Sequence, residues 1–482
     1  MNKQTKIIAT ISDKRCEVDF IQTLFQEGLN VVRLNSAHLA KEGFDKIITN
    51  VRAVSDEIAI LMDTKGPEIR TTIAAEPLSI QSGDIIHIYG NADKETKGNE
   101  IAVSYIHFVE ELSVGSQILF DDGEIELLVI EKTTDYLICK AQNDGILGSR
   151  KSVNVPSVRI KLPSLTDKDR INILYAIENQ VDFIAHSFVR SKQDVLDIQE
   201  ILDAHNSSIK IIAKIENQEG VDNIDEILQY AYGVMIARGD LGIEIAQEKI
   251  PGIQRMLIRK CVLAHKPVIV ATQMLHSMIQ NPRPTRAEVT DIANAIFYRT
   301  DALMLSGETA YGKYPVEAVR TMAKIAEEAE KGKLSDNDIK IPYNTNKHDI
   351  TSFLARQAVE SQAALNTKAI ITASYTGRTA RFLASYRGVN PIYAICATKQ
   401  TIRRLALSYG VIPIFQAGDG DLRDYFLQAL HGLVDSACIL PDDKVAYLSG
   451  SHRNAGSGTT FLEINQASHI LENENKHLLP NF

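Results

Sequence analysis

No stretch of this 482-residue chain approaches the ~20 consecutive apolar residues of a membrane-spanning helix, so no membrane partner is expected. An excess of basic charge is missing too: the formal net charge is −9. A nucleic-acid backbone needs clustered cations, so no nucleic-acid partner is expected; a small anion in a local basic pocket stays open. Cysteine is sparse. Cys16, Cys139, Cys261, Cys396 and Cys438 are scattered, odd in number and form no C-x-x-C pair. That fits small core residues in a reducing, cytoplasmic compartment. The start, MNKQTKIIATIS, passes from polar residues into a strand-like run with no signal-peptide pattern. No segment is of low complexity.

The bulk composition is that of soluble globular domains, 44% hydrophobic and 23% charged. At roughly 150 residues per domain, the length suggests about three domains. Eight β-rich apolar runs alternate with helix-like stretches: KIIATIS (6–12), VVRLN (31–35), AILMD (59–63), DFIAHSF (182–188), KIIAKIE (210–216), GVMIARGD (233–240), PVIVATQ (267–273) and ALMLSGE (302–308). Eight βα units predict a closed (β/α)8 TIM barrel. EVDFIQTLFQEG has helical apolar spacing and stops at Gly28; Thr285 and Glu288 form a capping-box pattern. Runs three and four lie over a hundred residues apart, which predicts an inserted β-barrel lid domain, with Asp122-Gly123 as a hairpin turn. After a helix near 315–331 and a polar linker, runs at 369–374, 391–397, 411–415 and 444–450 predict a C-terminal α/β regulatory domain. The expected boundaries are 1–70 and 156–335 for the barrel, 71–155 for the lid and 345–482 for the C-terminal domain.

In such barrels the catalytic groups sit at the C-terminal ends of the strands. Those ends carry Ser12; Arg33, Asn35 and His38; Asp63, Thr64, Lys65 and then Arg70; Lys214, Glu216 and Asn217; Arg238, Gly239 and Asp240; Thr272 and Gln273; Ser306 and Glu308. Alternate residues of a strand share a face, so Lys214 and Glu216 point to one side. Glu216 and Asp240 on neighbouring strands suit Mg2+, which takes one or two carboxylates plus substrate oxygens. Arg33, Arg70 and Lys214 suit phosphate or carboxylate groups. Metal, Lys and Arg without a nucleophile–base pair equip a site for phosphoryl transfer. Taken singly, a Lys/Glu pair is more often a structural ion pair, and His186, in an apolar run, is expected to be a satisfied core histidine.

At these ends the sequence resembles the pyruvate kinase family. MDTKGPEIR (62–70), KIENQEG (214–220), MIARGDLGIEI (235–245), VIVATQML (268–275), NPRPTRAEVTDIANAI (281–296) and LMLSGETAYGKYPVEAV (303–319) are similar to its motifs in order and spacing. The likeness runs from about residue 5 to 466. It implies phosphoryl transfer from phosphoenolpyruvate to ADP, giving pyruvate and ATP. It further implies Glu216 and Asp240 as Mg2+ ligands, and Lys214 beside the phosphoryl group in flight. Arg33, Thr272 and the Gly239–Asp240 backbone would hold phosphoenolpyruvate or pyruvate, with Thr272 also in the proton relay to the enolate. His38, Arg70, Asn35 and Lys151 would meet the nucleotide. Asn35, Asp63 and Thr64 would bind K+, with Glu68 the residue that accompanies potassium dependence. A homotetramer is the family's usual assembly.

The sequence departs from the family in places. RLNSAHL (33–39) puts Ala37 where a serine hydroxyl would help hold K+, ISDKR (11–15) replaces the usual first loop, and SVNVPS (152–157) loses two hinge glycines. In ASYTGRTARFLASYR (373–387), Ser374, Thr376, Gly377 and Thr379 lie between a strand and a helix N-terminus, an anion-binding arrangement. The resemblance implies a phosphorylated sugar effector there, closed over by the loop at 450–460 with Arg453. Two alternatives remain open at this level: a metal-dependent lyase sharing the Glu216–Asp240 pair, and a sugar-phosphate sensor on a degenerate barrel.

Overall fold

A computed structural model describes residues 3–37, 39–332, 349–417, 421–450 and 458–477. The eight expected strands form: β1 (Lys6–Thr10), β2 (Val31–Asn35), β3 (Ala59–Asp63), β4 (Phe183–His186), β5 (Lys210–Ile215), β6 (Gly233–Ala237), β7 (Val268–Ala271) and β8 (Ala302–Leu305). Each pairs in parallel with its sequence neighbour, and β1 pairs with β8 to close the barrel. Burial on both faces explains the unbroken apolar runs. Ile8, Leu61, Phe183, Ile212 and Met235 fill the interior. Their neighbours Ile7, Ile60, Ile184, Ile211 and Val234 pack outward against the helices. Thr285 caps helix Arg286–Phe297, and the Glu288 carboxylate accepts from Thr285 N at 2.7 Å in return.

Between β3 and β4 lie a mixed six-stranded sheet and a two-stranded pair, together a half-barrel over one core containing Ile101, Phe108, Phe120 and Leu127. Asp122-Gly123 turns between the antiparallel strands Gln117–Phe120 and Ile125–Lys132. Asp121, Asp122 and Gly123 have φ of 51°, 57° and 94°. Of the two missing hinge glycines, only one has a conformational consequence. Ser157 sits at φ 66°, a left-handed backbone costing an L-residue about 1–2 kcal/mol. Ser152 instead bridges Arg70.

The C-terminal domain is a five-stranded sheet of β9 (Ala369–Ala373), β10 (Ile392–Cys396), β11 (Val411–Phe415), β12 (Lys444–Ser449) and β13 (Phe461–Gln466), ordered β11-β10-β9-β12-β13. Only β13 is antiparallel. It escaped the sequence reading because FLEINQ is a half-exposed edge strand, not a continuous apolar run. The tail after it is a packing arm as far as it is described: helix Ala467–His477 seats Ala467 and Ile470 in the domain core.

The barrel meets this domain at the N-terminal ends of its strands. Asp182, just before β4, has a side chain 1% exposed. It accepts from Arg403 Nε at 2.7 Å, Arg52 Nη2 at 3.0 Å and Ile60 N at 2.9 Å. Asp301, just before β8, pairs with Arg387 at 2.9 Å and accepts from Val268 N at 3.0 Å.

His186 corrects an expectation. It is a core histidine, fully buried, but it is not satisfied: neither ring nitrogen has a hydrogen-bond partner among the described residues. Burial lowers its pKa to about 4.

Two tests follow from these buried groups. Removing Asp182 strands two arginines at the junction, so Asp182→Ala should cost about 3–5 kcal/mol in urea unfolding. For His186, the folded pKa lies below the unfolded value of about 6.5. Between those values the unfolded chain binds more protons, so stability falls as pH drops through the window. From pH 6.5 to 4 this group should remove roughly 3 kcal/mol, a loss that His186→Leu lacks when the two unfolding curves are compared.

Candidate active site

The C-terminal ends of β2, β3, β4 and β5 build one charged cluster. Lys214 Nζ on β5 lies 3.2 Å from Asp63 Oδ1 and 3.0 Å from Glu216 Oε1, and donates to Ser187 Oγ at 2.7 Å. Asp63 closes β3, and its other oxygen accepts from Arg33 Nε at 2.8 Å and Nη2 at 2.5 Å. Arg33 Nη1 continues to Thr10 Oγ1 at 3.1 Å. The Arg33 and Lys214 side chains are only 12% and 11% exposed. Burial alone would raise the Asp63 carboxyl, but Lys214 and Arg33 outweigh it and hold its pKa below the usual range. Burial opposes the Lys214 charge, yet Asp63 and then Glu216 hold the ammonium above its ordinary pKa.

Glu216 behaves differently. Burial pushes its pKa up to about 7, against the pull of Lys214 and with repulsion from Asp240 and Asp63 added. Oε2 accepts from Phe188 N at 2.7 Å, in a turn where Phe188 has φ 56°. Oε1 is buried near Lys214, but no donor is aligned on it among the described residues. A buried carboxylate oxygen short of partners is what a cation ligand looks like before its cation.

Asp240 lies in the first turn of helix Arg238–Glu244 and faces the same cavity as Glu216. That cavity, about 520 Å3, lies between barrel and lid; Arg70, Asp122 and Ser152 line its lid side. Among the described residues no group of three or more His, Cys, Asp or Glu is arranged for a metal. Two carboxylates facing one cleft still fit Mg2+, which completes its shell with substrate and water oxygens.

The neighbouring turn is strained. Thr272 and Gln273 have φ of 69° and 54°. Thr272 Oγ1 donates to Ala271 O at 2.6 Å and accepts from Gly239 N at 2.8 Å, so this N–H already has a partner. Arg238 clamps the turn through Nη2 to Thr272 O at 2.7 Å, and is itself anchored on Asp291 at 2.5 Å. Of the expected nucleotide contacts, Arg70 lines the cavity with Nε on Glu68 at 2.8 Å. Lys151 pairs with Asp121 at 2.6 Å and does not line that cavity. Asn35 Oδ1 accepts from Ala37 N at 3.1 Å, and the Thr64 carbonyl accepts from Ser187 Oγ at 2.7 Å. His38 and Arg453 lie outside the described residues.

In the C-terminal domain, Gly377 has φ 77° ahead of helix Arg378–Ser385. Ser374 Oγ is buried with no partner among the described residues, and the Thr379 and Thr459 hydroxyls lie 2.9 Å apart. The Thr376 carbonyl accepts from Arg381 Nη1 at 3.1 Å.

Sequence reasoning missed three participants. β4 contributed no candidate, yet its end supplies Ser187 and the Phe188 N–H. Arg238 was noted without a role. The signal for Ser187 was available: a hydroxyl at the C-terminal end of a barrel strand.

Comparison with known proteins bears on the same elements. The family model described as pyruvate kinase, barrel domain, matches residues 2–319, and that described as pyruvate kinase, alpha/beta domain, matches residues 353–464. The pyruvate kinase of Borreliella burgdorferi is 45% identical over 481 residues, covering 98% of this chain and 100% of its own length. That of Geobacillus stearothermophilus is 42% identical, covering 98% of this chain and 81% of its own. A crystal structure of a pyruvate kinase from Cryptosporidium parvum superposes with a TM-score of 0.90 at 34% identity, covering 97% of this chain and 96% of that one. With both domain models matched in order and relatives alike over nearly the whole of this chain, the chain belongs to the pyruvate kinase family.

Proposed function

We propose that the chain transfers the phosphoryl group of phosphoenolpyruvate to ADP, yielding pyruvate and ATP. One observation carries this reading: a buried ammonium, Lys214, is held by Asp63, Glu216 and Ser187, and its partner Glu216 lines the cleft that barrel and lid share. A phosphoryl group in flight spreads negative charge over its oxygens. A cation fixed beforehand stabilises that charge without reorganising when the reaction occurs. Lys214 meets the requirement because its acceptors hold it charged and in place. Arg33, anchored on Asp63, presents a second cation to an anionic substrate.

Glu216 and Asp240 would hold Mg2+, which when bound supplies Lewis-acid neutralisation of substrate oxygens. Arg70, at the barrel–lid hinge, and the lid residue Ser152 complete the cleft, and a lid limits the water that would otherwise take the phosphoryl group. Thr272 is held at a fixed angle by Gly239 N and Ala271 O, which suits a positioned hydroxyl in the proton relay. The donor set implied for K+ fits less well. Both Asp63 oxygens are engaged by Arg33, Lys214 and Ser187, so no step is assigned to K+. The Ser374 hydroxyl, buried and without a partner among the described residues, supports a phosphorylated effector at 374–379 and hence allosteric control. A homotetramer in the cytoplasm completes the reading; among the described residues no helix is long and apolar enough to cross a membrane.

The decisive assay couples pyruvate formation to its reduction, with phosphoenolpyruvate, ADP and Mg2+, with and without K+. ADP-dependent pyruvate is expected; pyruvate released without nucleotide would point to a lyase, and none at all to a sensor. Lys214→Met should lower turnover by on the order of 10³-fold with the fold intact by circular dichroism. Glu216→Gln should weaken Mg2+ binding, read by calorimetry without substrate, by more than the ~10-fold that losing an outer-shell partner costs. Unchanged Mg2+ affinity would remove Glu216 from the ligand set.

A further inference from the structure

At the N-terminal ends of the barrel strands, Asp182 meets Arg403 and Asp301 meets Arg387 across the domain junction. The three strands between them follow a different rule. Lys210 opens β5, Tyr232 immediately precedes β6, and Lys266 lies just before β7. Backbone bonds hold these starts side by side: Tyr232 N donates to Ile211 O at 2.9 Å, and Val234 N to Pro267 O at 3.0 Å. The C-terminal domain presents Arg381, from helix Arg378–Ser385, and Arg404, from helix Lys399–Leu405. The Arg381 guanidinium lies over the Tyr232 ring at 4.9 Å, and Tyr232 Oη donates to Arg404 O at 3.1 Å. Lys266 and the two arginines thus gather beside one tyrosine, with Lys210 within electrostatic reach of Arg404 and Arg381.

Among the described residues no carboxylate pairs with these four. None of the four forms a salt bridge among the described residues; their bonds go to neutral oxygens. Lys266 Nζ donates to Ala231 O at 2.8 Å, Arg381 Nη1 to Thr376 O at 3.1 Å, and Arg404 Nη2 to Ser208 O at 2.8 Å and Gln400 Oε1 at 3.0 Å. Lys210 Nζ has no hydrogen-bond partner among the described residues. The carboxylates within electrostatic reach are Asp203, which is exposed, and Asp182, already taken by Arg52 and Arg403. Burial, then Arg404 and Arg381, lower the Lys210 pKa; burial and then Arg381 lower that of Lys266. All four residues are half-buried, so solvent reaches them. This face of a barrel serves stability and not catalysis, so the phosphoryl chemistry at the other end does not account for the charge.

We propose that this sector is a phosphate site. A small phosphate dianion, free or carried by a phosphomonoester, would lodge between Lys210 and Lys266 of the barrel and Arg381 and Arg404 of the C-terminal domain. It turns repulsion across the junction into attraction, because guanidinium and ammonium groups make their strongest hydrogen bonds to such oxygens. The same dianion would couple the junction to the loop at 374–379, since Arg381 also holds the Thr376 carbonyl and Thr401 Oγ1 the Tyr375 carbonyl.

The test is calorimetry and thermal unfolding of the full chain with inorganic phosphate, against chloride at equal ionic strength. Saturable binding and a phosphate-specific rise in melting temperature are expected. Lys210→Gln removes a charge and no intramolecular hydrogen bond. It should weaken phosphate binding by at least ~10-fold, and in phosphate-free buffer it should melt no lower than the wild type. The double variant Lys210→Gln/Lys266→Gln should show no phosphate-specific stabilisation, while Ser374→Ala, which alters the loop of the C-terminal domain, should retain it. Absence of saturable binding, or binding unchanged in Lys210→Gln, overturns the proposal. Loss in Ser374→Ala with retention in the lysine variants overturns it as well, by assigning the phosphate to the loop.

Discussion

Asp63 is the group on which the arrangement at the top of the barrel depends. Two cations, Arg33 and Lys214, are almost withdrawn from water there. Burying them singly would cost several kcal/mol each. One carboxylate on β3 receives both, one oxygen facing each, and so fixes the distance between β2 and β5 as well as their charge. Glu216 has no such compensation. It shares Lys214 with Asp63, is repelled by Asp240, and keeps one oxygen without an aligned donor. The cluster is stable around Asp63 and unfinished around Glu216, and the unfinished side is the one that faces the cleft.

The two ends of the barrel solve opposite electrostatic problems. At the C-terminal end, acids and cations interleave closely and leave the cleft short of positive charge beside Glu216 and Asp240. At the N-terminal end, paired acids and arginines fasten β4 and β8 to the C-terminal domain, while β5, β6 and β7 leave positive charge in excess. A divalent cation suits the first surplus and a phosphate dianion the second. Backbone strain also occurs beside the candidate site. Phe188, Thr272 and Gln273 adopt left-handed conformations; Phe188 is held through its N–H by Glu216, and Thr272 by Gly239 N and Arg238.

Much of this was legible in the residues. Eight apolar runs with helices between them leave few arrangements other than a closed parallel barrel, and all eight strands appear where the runs lie. The candidates on β2, β3 and β5 were legible because the barrel topology converts strand ends into one face. What escaped had weaker local signals. β13 is a short, half-exposed edge strand that offers no continuous apolar run and no clean alternation. Ser187 is one hydroxyl in an apolar run. His186 was recognised as core, but that both its nitrogens lack partners among the described residues depends on its neighbours from other strands.

By itself, the sequence determined the period of its strands and helices, the order of the domains, and which charged residues fall at strand ends, because those are properties of nearest neighbours along the chain. Only the tertiary structure decided how the charges divide. Asp63 neutralises Arg33 and Lys214 rather than standing free, and Lys210 and Lys266 face Arg381 and Arg404 instead of acids. Coulomb energies depend on distances through space and on burial. Both are set when segments hundreds of residues apart are packed together.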